Sequence, residues 1–149
     1  MGWGSRSVPQ PASRSVVILV DSSAWIEYLR GTQSPVHLFL AGAIETGKEL
    51  ATTGPVLMEV LAGARDERNG ADLARLLGRV EQIAVEQPSD WEAAASIYRA
   101  CRRSGTTVRR LSDCLIAAVA MRAEASLLHC DADFDVIAER VPLRTVEVG

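Results

Sequence analysis

Residues 16–30 read VVILVDSSAWIEYLR, and the change of pattern at their centre decides what kind of fold follows. Val16 to Val20 form a continuous apolar run rich in β-branched side chains. Such a run suits a strand buried on both faces, as in a parallel sheet. It stops at Asp21. Ser22 or Ser23 can then cap a helix with Trp25, Ile26 and Leu29 on its inner face and Gly31 at its end.

The same alternation continues along the chain. A helix is expected over 36–46, stopping at Gly47, and a short strand over 49–52. Thr53-Gly54-Pro55 opens a further helix, with Pro55 in its first turn, that ends near Arg65. Residues 71–80 read as helix and 82–85 as strand. Ser89-Asp90-Trp91-Glu92 has the spacing of a capping box, with Glu92 placed to reach back to the Ser89 N–H. That helix runs to about Ser104, and Gly105 ends it. Residues 112–124 form the next helix, followed by a strand over 126–129, a helix over 133–140 and a last strand over 143–148. Strands separated by helices imply an α/β domain. Its central, mostly parallel β-sheet is flanked by α-helices and joined by right-handed crossovers.

The 149-residue chain suits one domain with a real core, assigned to 16–149. Residues 1–15, MGWGSRSVPQPASRS, are rich in Ser, Pro, Gly and Arg and lack the apolar stretch of a secretory signal. They read as a disordered tail or a non-native N-terminal extension. The chain is 48% hydrophobic and 23% charged, with a net charge of −3. That balance argues against coating nucleic acid by bulk charge, but leaves room for a local basic patch. No apolar run reaches the roughly 18 residues of a membrane span. Cys101, Cys114 and Cys130 are an odd count with no CxxC, which suits buried free thiols in a reducing cytoplasm.

In parallel α/β sheets, sites form beyond the carboxyl ends of strands. Asp21 and Asp131 both fall there. Glu59 interrupts an apolar helix, and Asp113 opens another; a lone charge in such segments is costly. Each acid has a plainer reading: Asp21 or Asp131 as a cap, Asp113 as a helix N-terminal charge, Glu59 as a solvated side chain. Should the four converge, their repulsion calls for a divalent cation, and hard oxygen ligands select Mg²⁺ or Mn²⁺. Such a centre hydrolyses phosphodiesters well. The alternating aspartates of HCDADFDVIAE (129–139) also suggest an EF-hand. That loop needs Gly at its sixth position and Glu at its twelfth, where this chain has Val136 and Pro142. The EF-hand is excluded, and Asp135 is assigned to helix surface.

Taken in order, four segments resemble the motifs of PIN-domain ribonucleases, especially the VapC-type toxins of VapBC toxin–antitoxin systems. They are VILVDSSAWIEYLR (17–30), MEVLAGARD (58–66), VRRLSDCLIAAVA (108–120) and LLHCDADFDVIA (127–138). The resemblance covers residues 16–148 and implies a PIN-like α/β fold that cleaves RNA endonucleolytically with one or two Mg²⁺ or Mn²⁺ ions. It makes Asp21, Glu59, Asp113 and Asp131 the catalytic, metal-binding acids. Asp133 is a further candidate ligand, unranked against Asp131, and Ser23 supports the first motif. It also implies a VapB-type antitoxin that occludes the site, and homodimerisation; the cytoplasmic location is the expectation from the cysteines. His129-Cys130 departs from the pattern, where a Thr, Asn or His followed by Arg is commoner.

Arg102, Arg103, Arg109 and Arg110 surround Gly105. They form either a solvated helix end or a phosphate-binding rim leading to Asp113, with Arg109 and Arg110 the candidate RNA contacts. His37 reads as a partly exposed helix residue and His129 as packing. Trp25, Trp91 and Tyr98 are assigned to the core. Two rival functions remain: a catalytically silent binding module, and a phosphatase with Asp21 as nucleophile. Asp21-Ser22-Ser23 lacks the Asp-x-Asp that haloacid-dehalogenase-type phosphatases use.

Overall fold

The computed structural model describes residues 16–149; the expected N-terminal tail, residues 1–15, lies outside them. Among the described residues, four short parallel strands are arranged β3-β2-β1-β4. They are β1 (Ile18–Val20), β2 (Leu50–Thr52), β3 (Glu81–Gln82) and β4 (Ser126–Leu128). Ile18 pairs with Leu50 on one side and with Ser126 on the other. Seven helices among the described residues connect and flank the sheet: α1 (Ser22–Arg30), α2 (Pro35–Glu45), α3 (Gly54–Ala62), α4 (Glu67–Leu77), α5 (Ser89–Arg103), α6 (Leu111–Arg122) and α7 (Ala132–Arg140). All three residues of β1 are buried, as the unbroken apolar run predicts for a central strand. Among the described residues no helix is long and apolar enough to cross a membrane.

The densest packing joins α6 to the rest. Eight consecutive residues, Asp113 to Ala120, are buried. A helix apolar all round belongs in the middle of a core, and the small side chains of its Ala117-Ala118 pair allow close approach. Leu19, Leu127, Phe134 and Ile137 complete the centre with no exposed surface. Two central strands and the buried helix thus fix the frame on which the carboxyl edge of the sheet is displayed.

Several local expectations are corrected. Of the three α1 residues expected on an inner face only Trp25 is buried, beside Ser22 and Ala24; Ile26 and Leu29 are exposed. The capping box at Ser89 is not made. Pro88 takes the cap position with no side-chain cap bond, and the buried Asp90 carboxylate accepts the Glu86 N–H at 2.8 Å instead. Trp91 is 48% exposed and, with Met58 and Leu111, lines an apolar cleft between α3, α5 and α6. Tyr98 packs half-buried against the core. The last strand is reduced to a single parallel bridge between Leu127 and Thr145. Cys101 and Cys114 are buried free thiols, but Cys130 is exposed.

Asp90 has a partner 32 residues away. Arg122, in the last turn of α6, donates Nε to both its oxygens at 3.1 Å and also reaches the Ala84 carbonyl. Removing one member of a buried ion pair leaves the other charge uncompensated. Arg122→Ala is therefore expected to cost about 2–4 kcal/mol, read as a lower denaturant midpoint at unchanged slope. A loss below about 0.5 kcal/mol, the level of an exposed pair, would show that the contact does not join α5 to α6.

Candidate metal centre

Asp21 follows β1 directly and is the N-cap of α1. Its Oδ2 accepts the Ser23 amide at 3.0 Å and the Ser23 hydroxyl at 2.6 Å. Its own N–H donates to the Leu128 carbonyl at 2.9 Å, which ties the ends of β1 and β4 together. The Ser23 hydroxyl in turn accepts the Cys130 N–H at 2.9 Å. One serine thus joins the start of α1 to the loop that carries Asp131. Asp131 is the N-cap of α7, and its Oδ1 accepts the Asp133 N–H at 2.9 Å. Asp113 lies buried in the first turn of α6. Three helix N-termini, those of α1, α6 and α7, therefore direct their positive dipole ends to the same edge of the sheet.

Glu59 enters from α3. Its Oε2 accepts the Ser22 hydroxyl at 2.7 Å. Sequence reasoning offers Ser22 only as a cap; in the structure it is the link between Glu59 and the Asp21 segment. The signal that could find it is its place beside Asp21, one residue from Ser23.

Asp113, Asp131 and Asp133 each offer a carboxylate oxygen, and these atoms all lie within 4.8 Å of one another. Asp133 therefore stands with Asp131, and the structure joins both to Asp113 rather than choosing between them. Asp21 and Glu59 add their charges to that of Asp113. Burial above all, and then these four neighbouring carboxylates, raise the Asp113 carboxyl to about 7. Burial also raises Asp21, opposed by its Ser23 hydrogen bonds. Asp21 Oδ1, Glu59 Oε1 and Asp113 Oδ2 are three of the six buried side-chain polar atoms that have no hydrogen-bond partner among the described residues. Buried carboxylate oxygens without donors, set among like charges, fit a divalent cation with oxygen ligands.

Arg109 is the cation present. Its Nη2 contacts Asp131 Oδ1 and its Nε contacts Asp133 Oδ2, each at 3.2 Å. Its backbone N–H also donates to Asp133 Oδ2, at 3.3 Å. The arginine group read from the sequence thus divides. Arg109 reaches the acids, Arg110 is exposed at the N-cap position of α6, and Arg102 and Arg103 are exposed in the last turn of α5. His129 packs against the Phe134 ring at 5.2 Å and faces Asp135. Asp135 is exposed, as expected of helix surface.

A parallel sheet with acids gathered at its carboxyl edge is an architecture suited to metal-assisted hydrolysis. The PIN-domain family profile matches residues 18–140, and the chain belongs to that family. The VapC ribonuclease Mb1587 of Mycobacterium bovis and the ribonuclease VapC11 of Mycobacterium tuberculosis are each 46% identical to it over 123 residues, covering 82% of this chain and 92% of theirs. VapBC2 from Rickettsia felis, solved bound to a promoter DNA fragment, shares the fold at a TM-score of 0.71 and 17% identity, covering 90% of this chain and all of that one. The sarcin–ricin-loop-cleaving toxin VapC20 of Mycobacterium tuberculosis shares it at 0.60 and 20% identity, covering 85% and 98%.

The raised Asp113 carboxyl has a consequence for stability. Between the ordinary carboxylate value and about 7, the folded state holds a proton that the unfolded state has released. Stability on account of this group therefore falls as pH rises through that window. In chelator, the melting temperature should drop between about pH 5 and about pH 8, and Asp113→Asn should flatten the drop and melt about 3 °C or more above the unchanged protein near neutrality. Divalent cation should raise the unchanged protein's melting temperature, more at the higher pH, and leave Asp113→Asn nearly unmoved. A destabilised Asp113→Asn at neutral pH would show that the acids do not strain the fold.

Proposed function

We propose that this chain is a divalent-metal-dependent endoribonuclease and the toxin component of a type II toxin–antitoxin system, working in the cytoplasm as a single domain over residues 16–149. The observation that carries the proposal is the convergence of Asp113, Asp131 and Asp133 within 4.8 Å, beside the partnerless oxygens of Asp21 and Glu59. That centre sits in a chain 46% identical to named VapC ribonucleases.

Asp21, Glu59, Asp113, Asp131 and Asp133 are the residues that would hold Mg²⁺ or Mn²⁺, with Ser23 fixing the orientation of Asp21. A divalent ion held there acidifies water and offsets charge on the phosphate oxygens. The carboxylates themselves orient the attacking water by accepting its hydrogen bonds, in line with the P–O bond to be broken. Arg109 contacts Asp131 and Asp133 with an exposed side chain, and its neighbour Arg110 is also exposed; both are candidate contacts for RNA phosphates. They supply locally the positive charge that the net charge of −3 denies the molecule as a whole.

A VapB-type antitoxin is the expected protein partner, in keeping with the VapBC complexes among the structural neighbours. The exposed Ile26 and Leu29 line, with Glu59 and Leu73, an open cleft of about 430 Å³ between α1, α3 and α4. A segment seated there reaches the acids at Glu59. A second copy of the chain is the expected homodimer partner. Of the rival readings, a phosphatase with Asp21 as nucleophile is disfavoured because Asp21 Oδ2 is already bound to Ser23 twice. A silent binding module has no use for buried carboxylate oxygens without donors.

The purified chain, freed of any partner, is to be incubated with total cellular RNA in Mg²⁺, Mn²⁺ or EDTA. Discrete fragments are expected with either metal and none in EDTA. Asp113→Asn, with unchanged circular dichroism, should cleave roughly a hundredfold more slowly or worse. No cleavage by folded protein with either metal, including on RNA from the native host, would favour the silent module.

A further inference from the structure

Arg109 occupies an unusual position for a residue that meets RNA. Its guanidinium is already spent on two of the three aspartates whose oxygens form the tightest acidic group, Asp131 and Asp133. Nothing else with a positive charge contacts those two carboxylates in the described structure. The two ends of Arg109 are held very differently. Its backbone N–H is fixed on Asp133, whereas its side chain is 71% exposed. The guanidinium can leave for solvent while the backbone bond to Asp133 still holds the loop, and a cation that takes its place offsets the charge it gives up on the largely buried Asp131 and Asp133. Arg110, the next residue, makes no ion pair among the described residues.

We propose that Arg109 is an exchangeable counter-ion: its guanidinium neutralises Asp131 and Asp133 when no divalent cation is held, is displaced when one binds, and is then delivered to the RNA phosphate. The inference rests on the metal-dependent ribonuclease reading above. A cation between Asp113, Asp131 and Asp133 needs the carboxylate faces that Arg109 covers, and two cations at that spacing repel. Displacement carries the guanidinium outwards, towards solvent and beside Arg110. There its fork of donors matches a phosphate. The same side chain lowers the repulsion in the metal-free protein and opposes metal binding until substrate offers it another anion. Metal and RNA therefore bind cooperatively: each gains from the contact that the other frees.

The test compares Arg109→Gln with the unchanged chain by titration calorimetry with Mn²⁺ alone, and then by cleavage kinetics on RNA. Gln keeps the backbone bond to Asp133 but removes the competing charge. Arg109→Gln should bind Mn²⁺ about three- to tenfold more tightly, the size expected for removing one competing cation whose charged end is screened by solvent. It should also show a raised KM for RNA. A non-cleavable RNA analogue should tighten Mn²⁺ binding to the unchanged chain and do so markedly less in the variant. Arg110→Gln should leave Mn²⁺ affinity unchanged. Equal or weaker Mn²⁺ binding by a folded Arg109→Gln would overturn the exchange and make Arg109 an organiser of the acids. Absence of Mn²⁺ binding in both proteins would overturn the metal reading itself, and the exchange with it.

Discussion

Mutual repulsion among carboxylates is the constraint on which the rest of this molecule depends. Five acids from four different helices and their caps are drawn to one edge of a small sheet, and the clearest sign of the cost is Asp113, lifted to about 7 by burial and its neighbours. The fold bears that cost by rigidity. The Asp21 N–H is bonded across to the end of β4, and Ser23 bridges Asp21 to Cys130. Asp113 rides on a helix buried along eight consecutive residues. The helix that carries Asp113 cannot yield without opening the core.

The same architecture softens the repulsion that it creates. The N-termini of α1, α6 and α7 all face the acids, so backbone dipoles supply partial positive charge there. Asp21 and Asp131 use their helix caps as anchors, each accepting an N–H two residues on. Capping and metal binding are thus not competing explanations for these aspartates. One oxygen of Asp21 serves the cap, and the other is buried without a partner. Stability is surrendered locally in exchange for a preorganised centre, as functional sites commonly require.

What the sequence reveals about this chain divides along the line between local and distant causes. Burial of the first strand is legible because an unbroken apolar run has few alternatives, and the alternation of elements gives the parallel α/β class. The four ordered acid motifs give the family, later borne out by its profile. Contacts across the fold are not legible. Ser89 to Glu92 has the spacing of a capping box, yet Asp90 bonds to Arg122 on another helix instead. The apolar stripe of α1 shows which residues share a face, but not that Ile26 and Leu29 lie where no other element covers them. Ser22 becomes interesting only when α3 brings Glu59 against it. Asp131 and Asp133 could not be ranked from spacing. The structure places oxygens of both near Asp113, because a helix cap and its first turn lie side by side.

The central claim is that these acids form one divalent-cation centre. Its most direct test is anomalous diffraction from crystals grown with Mn²⁺. The account predicts a strong peak within coordination distance of Asp113 and of at least one of Asp131 and Asp133, with Asp21 near enough to share it directly or through water. Mn²⁺ found only at exposed acids such as Asp72, with the oxygens of Asp113 and Asp131 unliganded, would contradict it.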